Sequence, residues 1–317
     1  GVAAVSVDTL GVETSTSAAQ NEQIQILIKG VADPAILTTA TPVFTEAGID
    51  TTEASVLIDG FGSADLSQVI TGASLIDSDG SENLTLKISG LDPQFTIVGA
   101  SFIGGTGVGR SWLLTQDQLA DAKILLPINY SGTVTADVVA ITTENDGHSQ
   151  SNSSVPLSFT VTPSIDEAIK TSTNNLKEDT LGKVDFSLVV PTAEVGDVGY
   201  RVVDTDEFLS SIWIDEADAE TSDYTLYYSA DGGATTLTLA DAIGQPGVAL
   251  VSGEYLITGA SIENIYAQGA ANLHGNFAFG VGYAITDPSS DGSLSAVTER
   301  TDILHTLSID AVTDTAT

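Results

Sequence analysis

Between residues 276 and 285 the chain alternates without a break: Phe277, Phe279, Val281, Tyr283 and Ile285 stand at every second position, separated by Ala278, Gly280, Gly282 and Ala284. A period of two sends one set of side chains to one face of an extended strand and the other set to the opposite face. A helix, whose buried stripe recurs every three to four residues, cannot satisfy this pattern. The same period returns at residues 84–88 and 134–141 and in Leu157, Phe159 and Val161. Shorter strands are predicted at 56–58, 124–128, 184–189, 199–203, 211–214, 224–229, 235–239 and 248–251. Turn residues fall between them, and helical periodicity is confined to one-turn pieces near 63–69 and at Thr115-Gln-Asp-Gln118, which has the form of a capping box. Many short strands in this spacing read as an all-β chain of β-sandwiches.

With 317 residues the chain suits two or more such units, each with its own core. Gly/Pro/Thr-rich punctuation at 30–42 and again from Pro163 divides it into 1–35, 36–163 and 164–317. The first piece carries two predicted strands, 2–7 and 23–29, the latter with Ile24, Ile26 and Ile28 on one face. Two strands do not make a stable domain. They are either the closing hairpin of a preceding repeat or an extension of the next sheet. The two larger pieces are related to each other: at an offset of 143 residues (Leu113 against Leu256), 113–144 and 256–287 share six identities, Leu113/Leu256, Thr115/Thr258, Asn129/Asn272, Gly132/Gly275, Val138/Val281 and Thr143/Thr286.

Asp and Glu number 43 against nine Lys and Arg, a formal net charge of −34. Nucleic acid and anionic membrane surfaces are poor partners for that balance. No run approaches the roughly 20 apolar residues of a membrane span, and Gly1-Val-Ala-Ala lacks the features of a signal peptide, so the chain reads as a segment of a longer protein. Cysteine is absent, which removes disulfides, thiolate metal sites and a cysteine nucleophile, and leaves metal ions as the staple open to an extracellular domain. Catalytic patterns are missing as well. His148, His274 and His305 stand apart, no Gly-x-Ser-x-Gly elbow occurs, and the glycine-rich loop at 105–109 is followed by no Lys-Ser/Thr. The chain is expected not to be an enzyme. Trp112 and Trp213 read as core residues, whereas adjacent Tyr227 and Tyr228 must face opposite sides of their strand.

One turn has a chemistry of its own. In Ile76-Asp-Ser-Asp-Gly-Ser-Glu-Asn83 the acids Asp77, Asp79 and Glu82 crowd together just before a predicted strand. Three carboxylates at this spacing repel unless a cation lies among them, and hard oxygen ligands suit calcium. The alternative is an exposed Asp-Gly hairpin turn. The spacing is not that of an EF-hand loop.

The run from Ile76 to Gly90, followed by Ser111-Trp-Leu-Leu with its short helix and by Tyr130-Ser-Gly-Thr-Val134, resembles the extender repeats of large bacterial RTX-type, biofilm-associated adhesins. The likeness is good over 36–163 and looser over 164–317. It implies tandem immunoglobulin-like or cadherin-like sandwiches in a secreted fibre at the bacterial cell surface. It also implies calcium within and between domains, contacts with neighbouring repeats of a monomeric chain, and a place in cell adhesion and biofilm formation. By position, Asp77, Asp79 and Glu82 would be ligands, with Asp215, Asp218 and Glu220 as their echo in the second domain. At the boundaries Asp33 with Glu46, and Asp166 with Glu178 and Asp179, would clamp the linkers. The family also contains modules that bind a peptide or glycan, and the longer 164–317 keeps that role open.

Overall fold

The structure, a computed structural model, describes residues 29–46, 61–77, 79–147, 150–165, 174–186 and 206–312 in full, with the backbone alone of Thr173 and of six short strands elsewhere. The expected strands at 56–58 and 199–203, the Ile24–Ile26–Ile28 face, Asp166 and His148 lie outside the described residues.

Two β-sandwiches follow one another, each around its own core. In the first, one sheet runs in the order Ser101–Gly104, Ser111–Thr115, Glu82–Ser89, Gly132–Glu144, Gln150–Thr162, Val43–Thr45. The other runs Thr96–Val98, Lys123–Pro127, Phe61–Asp65. Leu86, Ile88, Trp112, Leu114, Val134, Val138, Leu157, Phe159 and Val161 from the larger sheet meet Ala64, Ile97, Ile124 and Leu126 from the smaller. The second sandwich repeats this plan: Val248–Val251, Glu254–Thr258, Phe208–Asp215, Gly275–Asp287, Val297–Asp310 and Thr173–Lys177 form the larger sheet. Leu237–Thr238, Tyr224–Tyr228, Ile265–Gly269 and Gly182–Lys183 form the smaller. In both, the first and last strands of the larger sheet pair in parallel, Val43–Thr45 with Gln150–Thr162 and Thr173–Lys177 with Val297–Asp310.

The offset of 143 is reproduced by the strands themselves. Ser111–Thr115 and Gly132–Glu144 become Glu254–Thr258 and Gly275–Asp287 without change of length. The alternation behaves as period two demands: Phe279, Val281 and Tyr283 are buried, and the small residues between them leave room on the other face for Arg300, whose guanidinium lies over Gly282 and 4.8 Å from the Trp213 ring. Trp112 is a core residue, but Trp213 is half-buried on that outer face. Tyr224 and Tyr228 point inward, while Tyr227 sits on the outer face directly opposite Tyr266.

The local expectations are met in part. Thr115 and Gln118 exchange backbone–side-chain hydrogen bonds, a reciprocal capping box, around the short 3₁₀ helix Asp117–Ala120. The linker proposed at 30–42 contains a strand, Ile36–Thr39, paired with Ile70–Ser74, and Ala32 and Ala35 are buried. In 1–35 the described strands pair among themselves, Val2–Ala4 with Gln20–Glu22 and Val7–Leu10 with Glu13–Thr16, so the return strand begins earlier than 23.

Candidate functional site

Carboxylates gather where each sandwich meets the segment that leads into it. In the first, Glu82 opens strand Glu82–Ser89 and Glu144 closes strand Gly132–Glu144, and the antiparallel register places them directly opposite each other. Like charges in that relation destabilise a sheet, yet both side chains are buried. The entering segment closes over them. The Asp33 N–H donates to Glu82 Oε1 at 2.7 Å and the Gly30 N–H to Asp146 Oδ2 at 3.4 Å. Gly30 passes so near that a β-carbon there would lie 2.4 Å from the Glu144 carboxyl carbon, so only glycine fits without displacing that carboxylate. Burial, and then the charges of Glu82, Asp146, Asp79 and Asp77, push the Glu144 carboxyl above the usual glutamate range. Glu82 Oε2 is buried without a hydrogen-bond partner.

Asp77 and Asp79 flank this pair and are organised by the turn itself. Asp77 Oδ1 accepts from the Asp79 N–H at 3.1 Å and Asp79 Oδ1 from the Ser81 N–H at 2.8 Å. The bonds from Ser81 hold the Asp79 carboxyl below its ordinary value. These are the Asx turns of an ordinary acidic loop, but they fix two more negative charges beside Glu144.

The junction between the two sandwiches has the same construction. The Ser164 N–H is shared between Glu46 Oε2 of the first sandwich, at 3.3 Å, and Asp287 Oδ2 of the second, at 2.8 Å. Asp287 is the counterpart of Glu144. Across from it, Glu207 immediately precedes Phe208, whose partner is Thr286, so Glu207 holds the place of Glu82. Glu46, Glu207 and Asp287 are all buried. At the far end of the second sandwich Glu178, one residue past its parallel strand as Glu46 is past its own, accepts from the Val312 N–H at 2.6 Å. Glu178 also stands 3.8 Å from the His274 ring, and Asp179 Oδ1 accepts from the Asn272 N–H at 3.1 Å.

The structure therefore brings Asp77, Asp79 and Glu82 together, with Asp33 joining them through its backbone N–H while its side chain is exposed. The expected pairing of Asp33 with Glu46 is corrected: Glu46 stands at the middle junction, and Glu178 and Asp179 stand at the far end of the second sandwich, away from the linker at Pro163. The structure separates Asp215, Asp218 and Glu220 from all of these, a correction to the positional echo. Asp215 ends strand Phe208–Asp215 and Asp218 and Glu220 follow it, so all three lie at the opposite end of that strand from Glu207. Asp215 caps the one-turn helix Glu216–Ala219 through the Ala217 N–H, Asp218 accepts from the Gly280 N–H at 2.8 Å, and Glu220 bridges to Thr225. Glu144, Asp146, Glu207 and Asp287, to which the acidic turn does not point, stand at the junctions as well.

The donor chemistry at the first junction fits a hard cation: an unsatisfied buried carboxylate oxygen, a carboxyl whose ionisation is opposed by four neighbouring acids, and a glycine cradle. The side chains as they stand do not converge, and among the described residues no group of three or more His, Asp or Glu is arranged to hold a metal ion.

No protein-family model matches the chain, and no curated protein matches it. Among solved structures it is similar to Drosophila N-cadherin EC1-4, at 14% identity and a TM-score of 0.27, over 88% of this chain and 50% of that one. It is similar also to human protocadherin-24 EC1-2, at 11% identity and a TM-score of 0.28, over 89% of this chain and 100% of that one. A third is CfaE, the adhesive subunit of CFA/I fimbria of enterotoxigenic Escherichia coli, at 11% identity and a TM-score of 0.23, over 81% and 85% of the two chains. The chain spans half the length of the N-cadherin piece. Matches at these scores carry no functional argument. Among the described residues no helix is long and apolar enough to cross a membrane.

Proposed function

We propose that this chain is an extracellular spacer module of a bacterial surface adhesin, in which calcium at the acidic junctions sets the angle between successive sandwiches. The observation that carries the reading is the Glu82–Glu144 pair, two acids held buried and opposed beneath the entering segment. A cation lying between them would offset the repulsion that this arrangement carries. Glu82, Glu144, Asp77, Asp79 and Asp146 would hold the ion at the first junction, and Glu46, Glu207 and Asp287 at the second. The ion would supply charge neutralisation, and each linker, already tied to these acids through its backbone N–H groups, would be drawn against the sandwich. Biofilm formation and an RTX-type parent belong to the same proposal, resting on the resemblance of the sequence.

Extracellular calcium modules bind at about 10⁻⁴–10⁻³ M, so 5 mM calcium is expected to add about 1–2 kcal/mol per occupied site by mass action. Thermal melting and small-angle scattering in chelator and in calcium test this. If neither the melting temperature nor the scattering shape responds, the reading fails. Glu144→Gln gives the opposite sign in the two conditions. Without calcium it removes a like-charge contact and raises the melting temperature; with calcium it removes a ligand and shrinks the gain.

A further inference from the structure

The two sandwiches are joined by a second device that uses no acidic cluster. The hairpin loop after strand Gly275–Asp287 reaches back to the turn before strand Gly132–Glu144 and plugs into it. Asp291 Oδ2 accepts from the Thr133 N–H at 3.0 Å and faces the Tyr130 hydroxyl at 3.4 Å; Asp291 Oδ1 accepts from the Ser293 N–H at 2.8 Å and the Ser289 hydroxyl at 2.9 Å. Burial works against this carboxylate, but the hydrogen bonds from Ser293, Thr133 and Ser289 hold its pKa at about 2. Beside it, Ser290 Oγ accepts from the Ser131 N–H at 3.0 Å and donates to the Asn129 carbonyl at 2.9 Å. The fit is close: Gly132 has φ of +152°, and a β-carbon there would sit 2.3 Å from the Asp291 carboxyl carbon.

The receiving turn occurs twice. Asn129 and Asn272 both have φ of +58°, Gly132 and Gly275 both have positive φ, and each turn opens a strand of the same length. In the first copy three of the groups that grip the plug are main-chain groups, the Asn129 carbonyl and the N–H groups of Ser131 and Thr133. The backbone offers their equivalents at Asn272, His274 and Asn276 whatever the side chains are. Asn272, His274 and Asn276 are all exposed; strand Phe208–Asp215 pairs with its neighbour only as far as Val281 and Asp218 takes the Gly280 N–H, so among the described residues no strand pairs with 275–279 on that side.

We propose that the turn from Asn272 to Asn276 is a docking socket for the Ser-Asp-Gly tip of a β-hairpin on another sandwich of this kind, which it would grip as the Asn129–Thr133 turn grips Ser290 and Asp291. Its occupant is recognised by one carboxylate and one hydroxyl presented on a tight hairpin. The inference rests on the geometry of the clasp alone, and the clasp is independent of any cation.

The test extends the chain by joining Val312 to a second copy of 165–312. Val312 then takes the place of Ser164. The protein contains no cysteine, so paired cysteines introduced on either side of a junction report spin-label distances without background. The new junction is expected to give a distance distribution as narrow as the existing one, in chelator as well as in calcium. Asp291→Ala in the added copy alone, or Asn276→Pro in the original, is expected to abolish the narrow peak at the new junction and leave the first junction unchanged. An unaltered amide spectrum for the rest of the molecule shows that each variant folds. A new junction that is broad from the start, or narrow but indifferent to both substitutions, overturns the proposal. Narrowing that appears only with calcium overturns it too, while supporting the cation reading.

Discussion

Replacing Phe279 with alanine is expected to cost about 3–5 kcal/mol and to destabilise the second sandwich while sparing the first. Phe279 is 1% exposed, at the centre of the second core, with ring contacts to Tyr224 at 6.0 Å and His305 at 5.2 Å. Rings fixed by two sheets cannot collapse into the space it leaves, so the loss belongs at the upper end of what a core truncation costs. Against a domain stability of about 5–15 kcal/mol that is a large fraction. Each sandwich has a single tryptophan, Trp112 in the first and Trp213 in the second. Denaturation can therefore be followed core by core in Trp112→Phe and Trp213→Phe backgrounds. The Trp213 transition is expected to move and the Trp112 transition to stay. Phe159→Ala, which removes a ring 1% exposed and edge-on to Phe44 at 5.4 Å, should do the reverse. Equal shifts in both probes would mean that the sandwiches unfold as one unit.

The fold was legible because period two is a strong local signal. Phe277 to Ile285 identified a half-buried strand without any knowledge of its neighbours, and the offset of 143 aligned two such strands with the turns that precede them. The site was legible only in part. Asp77, Asp79 and Glu82 were visible as a dense run, but their partners Glu144 and Asp146 are more than sixty residues away and are supplied by strand pairing. The echo in the second domain was misplaced for a physical reason. Position within the resemblance pointed to 215–220, whereas an acid at this end of the sheet has to precede the strand that lies beside the long hairpin. Glu207 does precede it, one position before Phe208, whose partner Thr286 is one position before Asp287. The repeat aligns Glu144 with Asp287, and that alignment points to the start of the neighbouring strand for the acid facing each. Sequence showed nothing of Ser289, Ser290 and Asp291 as a clasp, because those residues act only through a turn 160 or so positions earlier.

Acidification is expected to remove roughly 3 kcal/mol from the second sandwich through a single histidine. His305 read as an isolated residue, but the fold buries it completely between Phe186 and Phe279, at 5.1 and 5.2 Å. Its Nε2 lies 2.6 Å from the Asn174 side-chain nitrogen, and its Nδ1 lies 3.4 Å from the Tyr283 hydroxyl. The Asn174 oxygen is committed to the Asp185 N–H at 3.0 Å, so the amide must present its NH₂ group to the ring. Nε2 is then an acceptor and the ring is neutral. A second proton would set donor against donor inside an aromatic cage. Burial lowers the His305 pKa to about 4, and the Asp185 carboxylate offsets only part of that. In the unfolded chain the same ring titrates near 6.5. Between these values the unfolded state binds a proton that the folded state refuses, so stability is complete above about pH 6.5 and falls as the pH drops toward 4. Carboxylates crowded at the junctions, such as Glu144, act in the opposite sense over the same range. The measurement is therefore the difference in denaturation free energy between the natural protein and His305→Phe at a series of pH values, followed through Trp213. The variant starts lower at neutral pH, because Asn174 loses its acceptor. The gap should close by roughly 3 kcal/mol on going to pH 4; parallel curves would show that His305 takes up its proton inside the folded core.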